Sequence, residues 1–175
     1  MSSLPAVSSI TPLRADAFGA PARTDPYKER RPPYSEEAEQ AVLGAMLLDA
    51  DAIMRAAEHV DDTMFYREAH RRIFRAMVAL SERGEVADPL TLAEELMRRG
   101  ELDQSGGKEY VAVLVDVVPT AANVEFHAKI VREKALLRRL IEVSTGIVGD
   151  AFSGQRTATD LRDEADAKIF QIGEQ

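Results

Sequence analysis

One stretch, from about Ala121 to Phe152, constrains the fold of this chain more than any other. Apolar residues recur in it at steps of three and four, the spacing that places side chains on one face of an α-helix. They are Phe126, Ile130, Leu137, Leu140, Ile141, Ile147, Val148, Ala151 and Phe152. Such a helix would be roughly 45–50 Å long, whereas a compact domain of about 120 residues has a radius of gyration of about 14 Å. We therefore expect it to project beyond its own domain.

A second amphipathic segment follows a short polar break at residues 153–156. Its apolar residues again share one helical face; they are Leu161, Ala165, Ile169 and Ile172. Thr157 and Asp160 have the spacing of an N-terminal capping box. The two helices are therefore expected to fold back as an antiparallel hairpin, in which each helix buries only part of the other's apolar stripe.

The uncovered parts of these stripes predict that the hairpin pairs with the hairpin of a second copy. The residues expected to take part in self-association are Ile141, Ile147, Val148, Phe152, Leu161, Ile169 and Ile172. Alternatively, the long helix bends or packs along an elongated monomer, as long helices do in monomeric bundles. In that case no second chain is needed.

Length and composition narrow the possible functions. A chain of 175 residues can hold one core domain with appendages. It contains no cysteine, which excludes disulfides, thiolate metal sites and a cysteine nucleophile. No run of apolar residues approaches the roughly eighteen needed to span a membrane, and the amino terminus lacks the pattern of a secretory signal. We therefore expect a cytoplasmic protein that does not contact membranes.

Charge is distributed unevenly along the chain. Residues 1–34 carry five basic and three acidic residues, a balance of +2, so the total of -8 leaves -10 for residues 35–175. Because nucleic-acid affinity depends on neutralising phosphates, we expect at most weak, salt-sensitive contact with single-stranded DNA, mostly through residues 1–33. Those 33 residues are rich in Pro, Ala, Ser and Arg without a sustained period, which predicts a disordered tail.

Residues 34–120 predict a globular domain of five short helices. The expected helices cover residues 35–49, 51–60 with Asp51 as the cap, 68–83, 89–99 and 109–117. Ser35 and Asp88 are good N-caps, and Gly84 and Gly100 follow the third and fourth helices as C-terminal glycines do. The valines at 113–118 also permit a strand, but no other segment would pair with it. The predicted fold is therefore all-α: a small helical bundle followed by a long hairpin at residues 121–174.

No group of residues has the spacing of a catalytic, cofactor or metal site. The H-E-x-x-H pattern of a helical zinc site does not fit the three histidines, His59, His70 and His127. The string Gly106-Gly107-Lys108 comes nearest to a phosphate-binding loop. However, Leu102 and Glu109 stand where a P-loop needs Gly and Ser or Thr. We therefore interpret the glycine pair as a turn that opens the fifth helix.

Two charged clusters are expected to be solvated rather than functional. The dipole of the first helix accounts for Glu36 and Glu37, and solvation accounts for Glu39. The basic run farther along is interleaved with acidic residues, which favours a solvated helix face over a nucleic-acid contact. It consists of Arg132, Lys134, Arg138 and Arg139.

Several segments, in order, match one known family. Residues 33–44, with the sequence PYSEEAEQAVLG, resemble the opening of the amino-terminal domain of bacterial replicative DNA helicases of the DnaB family. Further matches are Phe65-Tyr66 with His70, Gly106-Gly107 before Tyr110, residues 118–123 (VPTAAN) and Arg138-Arg139-Leu140-Ile141. The resemblance covers about residues 32–174.

The resemblance implies a ring-shaped hexameric helicase that moves along single-stranded DNA with ATP, through a RecA-like motor domain. This chain ends at Gln175, about where the linker to that motor would begin. We therefore expect the chain to have no catalysis and no cofactor of its own, with ATP and magnesium bound by the absent motor. By similarity, its hairpins pair two by two into a collar of three dimers.

The resemblance also implies that DNA primase docks on this collar through its carboxy-terminal helical domain. The candidate primase-binding residues are Glu37, Tyr110 and Ile141. Each has a second interpretation: a helix-dipole carboxylate, a half-buried core tyrosine and an ordinary residue of the apolar stripe, respectively.

Two other classes of function compete with a helicase module. The first is a free-standing dimeric adaptor or regulator that shares the fold without a motor. The second is a small metal-dependent hydrolase on an all-α frame, which would require clustered histidine and carboxylate ligands.

Overall fold

Residues 31–173 are described by a computed structural model, and within them the chain forms seven α-helices. These are α1 (Glu36–Leu48), α2 (Ala50–Ala57), α3 (Glu68–Glu82), α4 (Pro89–Arg98), α5 (Gly107–Asp116), α6 (Val124–Ser153) and α7 (Ala158–Gly173). Short 3-10 turns lie at residues 62–64 and 103–105. The all-α prediction is confirmed. The tail predicted for residues 1–33 lies almost entirely outside the described residues.

Local capping chemistry sets where the helices begin. The Ser35 hydroxyl accepts a hydrogen bond from the Ala38 N–H at 3.2 Å and starts α1. Asp88 and Thr91 form a reciprocal capping box at α4, and the N–H of Thr91 holds the pKa of the Asp88 carboxyl below its usual range. For α2 the predicted cap was wrong by two residues. Asp49 rather than Asp51 is the cap, because the Asp49 carboxylate accepts from the Asp51 N–H at 3.0 Å.

Helix α1 lies at the centre of the globular part. It packs against α2, α3, α5 and α6, and most of its side chains are buried, including Val42, Leu43 and Met46. At Gly44 the backbones of α1 and α5 approach so closely that a Cβ atom would lie 2.3 Å from the carbonyl oxygen of Leu114. Only glycine allows that approach, so this position fixes how α5 lies on α1.

Helix α6 has two parts. Its first turns belong to the core, where Val124, Ala128 and Val131 are buried. Beyond them Val143 alone among its residues is buried, against α7, where Ile172 is buried too. The end of α7 therefore lies beside the middle of α6, as an antiparallel hairpin requires. None of the helices in residues 31–173 combines the length and the apolar character needed to cross a membrane.

Candidate partner-binding surfaces

A row of apolar side chains is exposed along the outer face of α6. The row, called the hairpin strip below, consists of Phe126, Leu137, Leu140, Ile141, Val148 and Phe152. These residues share the helical face opposite the one that packs against α7. Val148 is 53% exposed and Phe152 is 81% exposed. Exposed apolar side chains aligned on one helical face make this row a candidate surface for another protein.

The residues predicted to mediate self-association fall into three groups. Ile141, Val148, Phe152 and Ile169 are exposed. Ile147 and Leu161 are half-buried, and Ile172 is buried between the helices of the hairpin. The first group can contact a second molecule directly, whereas Ile172 stabilises the hairpin from inside.

The candidate primase-binding residues lie at two places. Glu37 is exposed in the first turn of α1. Gln40, one helical turn later, donates its amide to the Tyr110 hydroxyl at 3.1 Å. Glu37 and Tyr110 therefore belong to one surface, which we call the α1–α5 edge. Ile141 lies on α6, in the hairpin strip.

Behind the α1–α5 edge lies a buried polar chain. The Glu39 carboxylate accepts from the backbone N–H of Tyr66 and from Nδ1 of His70, each at 2.6 Å. His70 Nε2 lies 2.6 Å from the Tyr110 hydroxyl. Glu39 is 1% exposed and His70 is fully buried. The expectation that Glu39 is solvated was therefore wrong, because it has a buried partner 31 residues away.

Arg138 connects the base of the hairpin to the globular part. Its guanidinium donates to the carbonyl oxygens of Pro33 and Met64, at 2.8 and 2.5 Å. It also lies 5.5 Å from the centre of the Tyr66 ring, which stacks on Tyr34 at 4.6 Å. Burial holds the pKa of Arg138 below its ordinary value. The prediction of a solvated basic face was thus wrong for Arg138.

A second buried carboxylate, Glu95 on α4, has a different environment. Its two oxygens accept hydrogen bonds from Arg83, Arg98 and Arg99. Burial alone would raise the pKa of Glu95, but the bonds from Arg98, Arg99 and Arg83 lower it to about 2. This cluster ties α4 to the end of α3, which is a structural task.

The glycine pair at 106–107 forms the predicted turn. Gly106 and Gly107 have φ angles of 94° and 75°, and Gly106 stands at the N-cap of α5. A Cβ atom on Gly106 would lie 2.7 Å from the Cβ of Tyr110, so the turn packs against that tyrosine. In residues 31–173 no three His, Cys, Asp or Glu side chains are grouped so that they could hold a metal ion.

Comparisons with known proteins agree with this geometry. Residues 31–133 match the family described as the DnaB-like helicase N-terminal domain. The chain is 47% identical over 148 residues to the replicative DNA helicase DnaB of Geobacillus stearothermophilus. It is 46% identical over 147 residues to that of Mycobacterium leprae. These alignments cover 85% and 83% of this chain but 33% and 24% of the relatives, so the chain spans about a third or less of their length.

Solved structures give the same result. The crystal structure of the N-terminal domain of DnaB helicase from Mycobacterium tuberculosis matches with a TM-score of 0.77 and 45% identity, covering 81% of this chain and 99% of that one. A solved structure of a DnaB-like replicative helicase and its interactions with primase matches with a TM-score of 0.62 and 26% identity, covering 79% of this chain and 31% of that one. The family resemblance seen in the sequence is confirmed: the chain belongs to the DnaB-like helicase N-terminal domain family.

Proposed function

We propose that this chain is the oligomerisation and primase-docking region of a replicative DNA helicase. The proposal rests on the family membership together with one structural observation, the exposed hairpin strip on α6. In the whole protein, a motor region binds ATP and magnesium and moves along single-stranded DNA in the cytoplasm. The region described here contributes assembly and partner recognition rather than catalysis.

The exposed strip supports self-association through the hairpin. Covering it with the hairpin of a second copy would remove several hundred Å² of apolar surface per chain. That burial contributes about 25 cal/mol per Å², before the cost of association is subtracted. Three such dimers would form the collar of a hexameric ring. The surfaces that contact the second copy include Ile141, Val148 and Phe152, with Ile169 on α7.

Primase docking uses the α1–α5 edge and the middle of α6. The support is the 26% identical structure whose title names interactions with primase, together with the exposure of Glu37 and Ile141 and the half-exposed position of Tyr110. Contact of this region with single-stranded DNA is weak and depends on the basic residues of residues 1–33. Deleting those residues should abolish it.

Sedimentation equilibrium, with and without primase, tests both parts of this proposal. We expect a dimer or a larger species at micromolar concentration, and a further increase in mass when primase is added. A monomer whose mass does not change with primase would contradict the proposal.

A chimera separates the helicase module from a free-standing adaptor. Residues 32–173 would replace the matching region of the Geobacillus stearothermophilus helicase. If the chain is a helicase module, the chimera should form rings and unwind DNA. A chimera that folds but forms dimers without rings would favour an adaptor.

A further inference from the structure

The buried pair of Glu39 and His70 is not explained by core stability alone. The pair lies within the core: Val42 on α1, and Ile73 and Met77 on α3, belong to the helices that carry it and are fully or almost fully buried. Replacing both partners of a buried hydrogen bond with apolar groups of the same shape can be nearly neutral or stabilising. A polar pair at this place therefore suggests a task beyond holding the core together.

The pair belongs to a chain of hydrogen bonds that ends at the surface. It runs from the Tyr66 N–H to Glu39, on to His70 and then to the Tyr110 hydroxyl, which also accepts from Gln40. Because a carboxylate only accepts, His70 Nδ1 carries the proton that is shared with Glu39. Glu39 and His70 are buried, whereas Tyr110 and Gln40 are partly exposed. Glu39 and His70 are thus connected to the surface through the side chain of Tyr110.

The ring of Tyr110 is held at both ends. At the hydroxyl end it is held by His70 and Gln40, and the His70 and Tyr110 rings are parallel within 6°. At the backbone end it packs against Gly106, where a Cβ atom would lie 2.9 Å from the Tyr110 Cγ. The φ of 94° at Gly106 also excludes most other residues there. Together these contacts restrict the orientation of the ring.

We propose that Glu39 and His70 are positioning residues that fix Tyr110 in the orientation in which the α1–α5 edge binds its protein partner. Ordering a side chain on binding costs affinity, so a ring that is already fixed binds more tightly. Losing the positioning should weaken partner binding about three- to tenfold. The identity of the partner as primase rests on the proposed function; the positioning of Tyr110 does not.

The chain itself supplies a matched control. Glu95 is also a buried, hydrogen-bonded carboxylate, but it lies on α4 and its partners are arginines. Glu39→Gln and Glu95→Gln each replace one buried carboxyl group with an amide and keep the side-chain shape. If Glu39 has a purely structural role, the two variants should bind the partner with equal affinity. If Glu39 positions Tyr110, only Glu39→Gln should bind the partner more weakly.

The experiment measures two properties at a temperature where circular dichroism shows every variant folded. One is affinity for the carboxy-terminal helical domain of Geobacillus stearothermophilus primase, by calorimetry. The other is the order of the Tyr110 ring, by NMR of ring-labelled tyrosine. We expect Glu39→Gln to weaken binding and to broaden or average the Tyr110 signals, and Glu95→Gln to leave both unchanged. If Glu39→Gln fails to fold, Tyr110→Phe takes its place, because it keeps the ring but removes its hydroxyl bonds. We then expect the same weaker binding and the same broadening of the tyrosine signals.

Two outcomes would overturn the inference. One is a folded Glu39→Gln chain with wild-type ring signals and affinity; the other is an equal loss of affinity in Glu95→Gln. If the wild-type chain does not bind primase at all, the proposed function fails. In that case the NMR signals of the Tyr110 ring, compared between the wild type and Glu39→Gln, still test whether Glu39 positions the ring.

Discussion

Two parts of this chain have the same amphipathic spacing but differ in how much of it the chain itself uses. In the globular part, the apolar faces of α1 and α3 are buried by neighbouring helices. Helix α6, which forms one side of the hairpin, has 30 residues. After Val131, its last buried residue in the core, only Val143 is buried. The helical pattern therefore predicts that a face will be covered, but it does not say whether the same chain covers it.

The glycines of the globular part and of the hairpin differ in the same way. Gly44 lies where α1 and α5 almost touch, so its missing side chain is required by packing. Gly146 and Gly149 lie in the distal half of α6, and a Cβ atom on either would meet no heavy atom of the described residues within 4 Å. Glycine inside a helix costs up to about 1 kcal/mol relative to alanine. In the globular part, the glycine at position 44 allows a close contact between α1 and α5. In the hairpin, the glycines at positions 146 and 149 allow no such contact within one chain.

The largest expected effect comes from a charge in the hairpin strip. Val148→Asp should weaken self-association by on the order of 3 kcal/mol or more, because pairing would desolvate an ion that has no partner. Helix content should stay unchanged, since Val148 is exposed in the single chain. Sedimentation equilibrium and circular dichroism measure the two properties. Ile147→Asp is less clean, because Ile147 is half-buried and a charge there would also disturb the hairpin.

Leu90→Asp is the matched control for Val148→Asp. Leu90 on α4 is 66% exposed, so an exposed apolar side chain is again replaced by Asp, this time on the globular part. We expect it to keep the wild-type mass. If both variants keep the wild-type mass, the hairpin strip is not the self-association surface.

The buried carboxylate of Glu95 should make the stability of the globular part depend on pH in the acid range. The folded pKa of Glu95 is lowered from 4.5 to about 2. The stability that it contributes is therefore present above about pH 4.5 and is lost as the pH falls toward 2. Glu95→Gln should lower the free energy of unfolding at neutral pH by roughly 1.5–3 kcal/mol and should flatten its dependence on pH in that window.

Urea unfolding at several pH values measures this effect, and the neighbouring Glu94→Gln is the control. Glu94 is exposed, so its replacement should leave the acid dependence close to that of the wild type. Equal curves for the two variants would show that the arginine cluster does not stabilise the fold.

The close contact at Gly44 gives the next effect in size. In Gly44→Ala the added Cβ would lie 2.3 Å from the Leu114 oxygen, so α1 and α5 would have to move apart. We expect a loss of about 1–3 kcal/mol in the free energy of unfolding, measured by urea unfolding. A variant as stable as the wild type would mean that α5 can shift without cost.

Local signals explain why so much of the fold could be predicted from the sequence. Helix periodicity, the Ser35 and Asp88 caps and the turn at Gly106 each depend on residues a few positions apart. The hairpin followed from two stripes separated by a polar break. Asp49 was missed as the cap of α2 because it directly follows α1 and also ends that helix.

Contacts between distant residues could not be predicted in the same way. Glu39 resembles its neighbours Glu36 and Glu37, and only the fold brings His70 beside it. Arg138 lies in a basic run, yet it bonds to a carbonyl oxygen 105 residues earlier. Periodicity gave one weak signal for Glu39, since it stands three and seven positions before Val42 and Met46 and so shares their helical face.

The smallest expected effect has the opposite sign from that of Gly44→Ala. Gly146→Ala adds a Cβ atom where nothing in the described residues lies within 4 Å, and the φ of Gly146 is not positive. Alanine restricts the unfolded chain more than glycine does, so the variant should gain about 0.4–1 kcal/mol in stability. Urea unfolding at a concentration low enough to keep the chain monomeric measures this gain. If sedimentation then shows weaker self-association in the more stable variant, a second copy approaches α6 closely at Gly146, and the glycine serves the dimer. If association is unchanged, the second copy does not contact α6 at Gly146, and the glycine lowers helix stability without serving the interface.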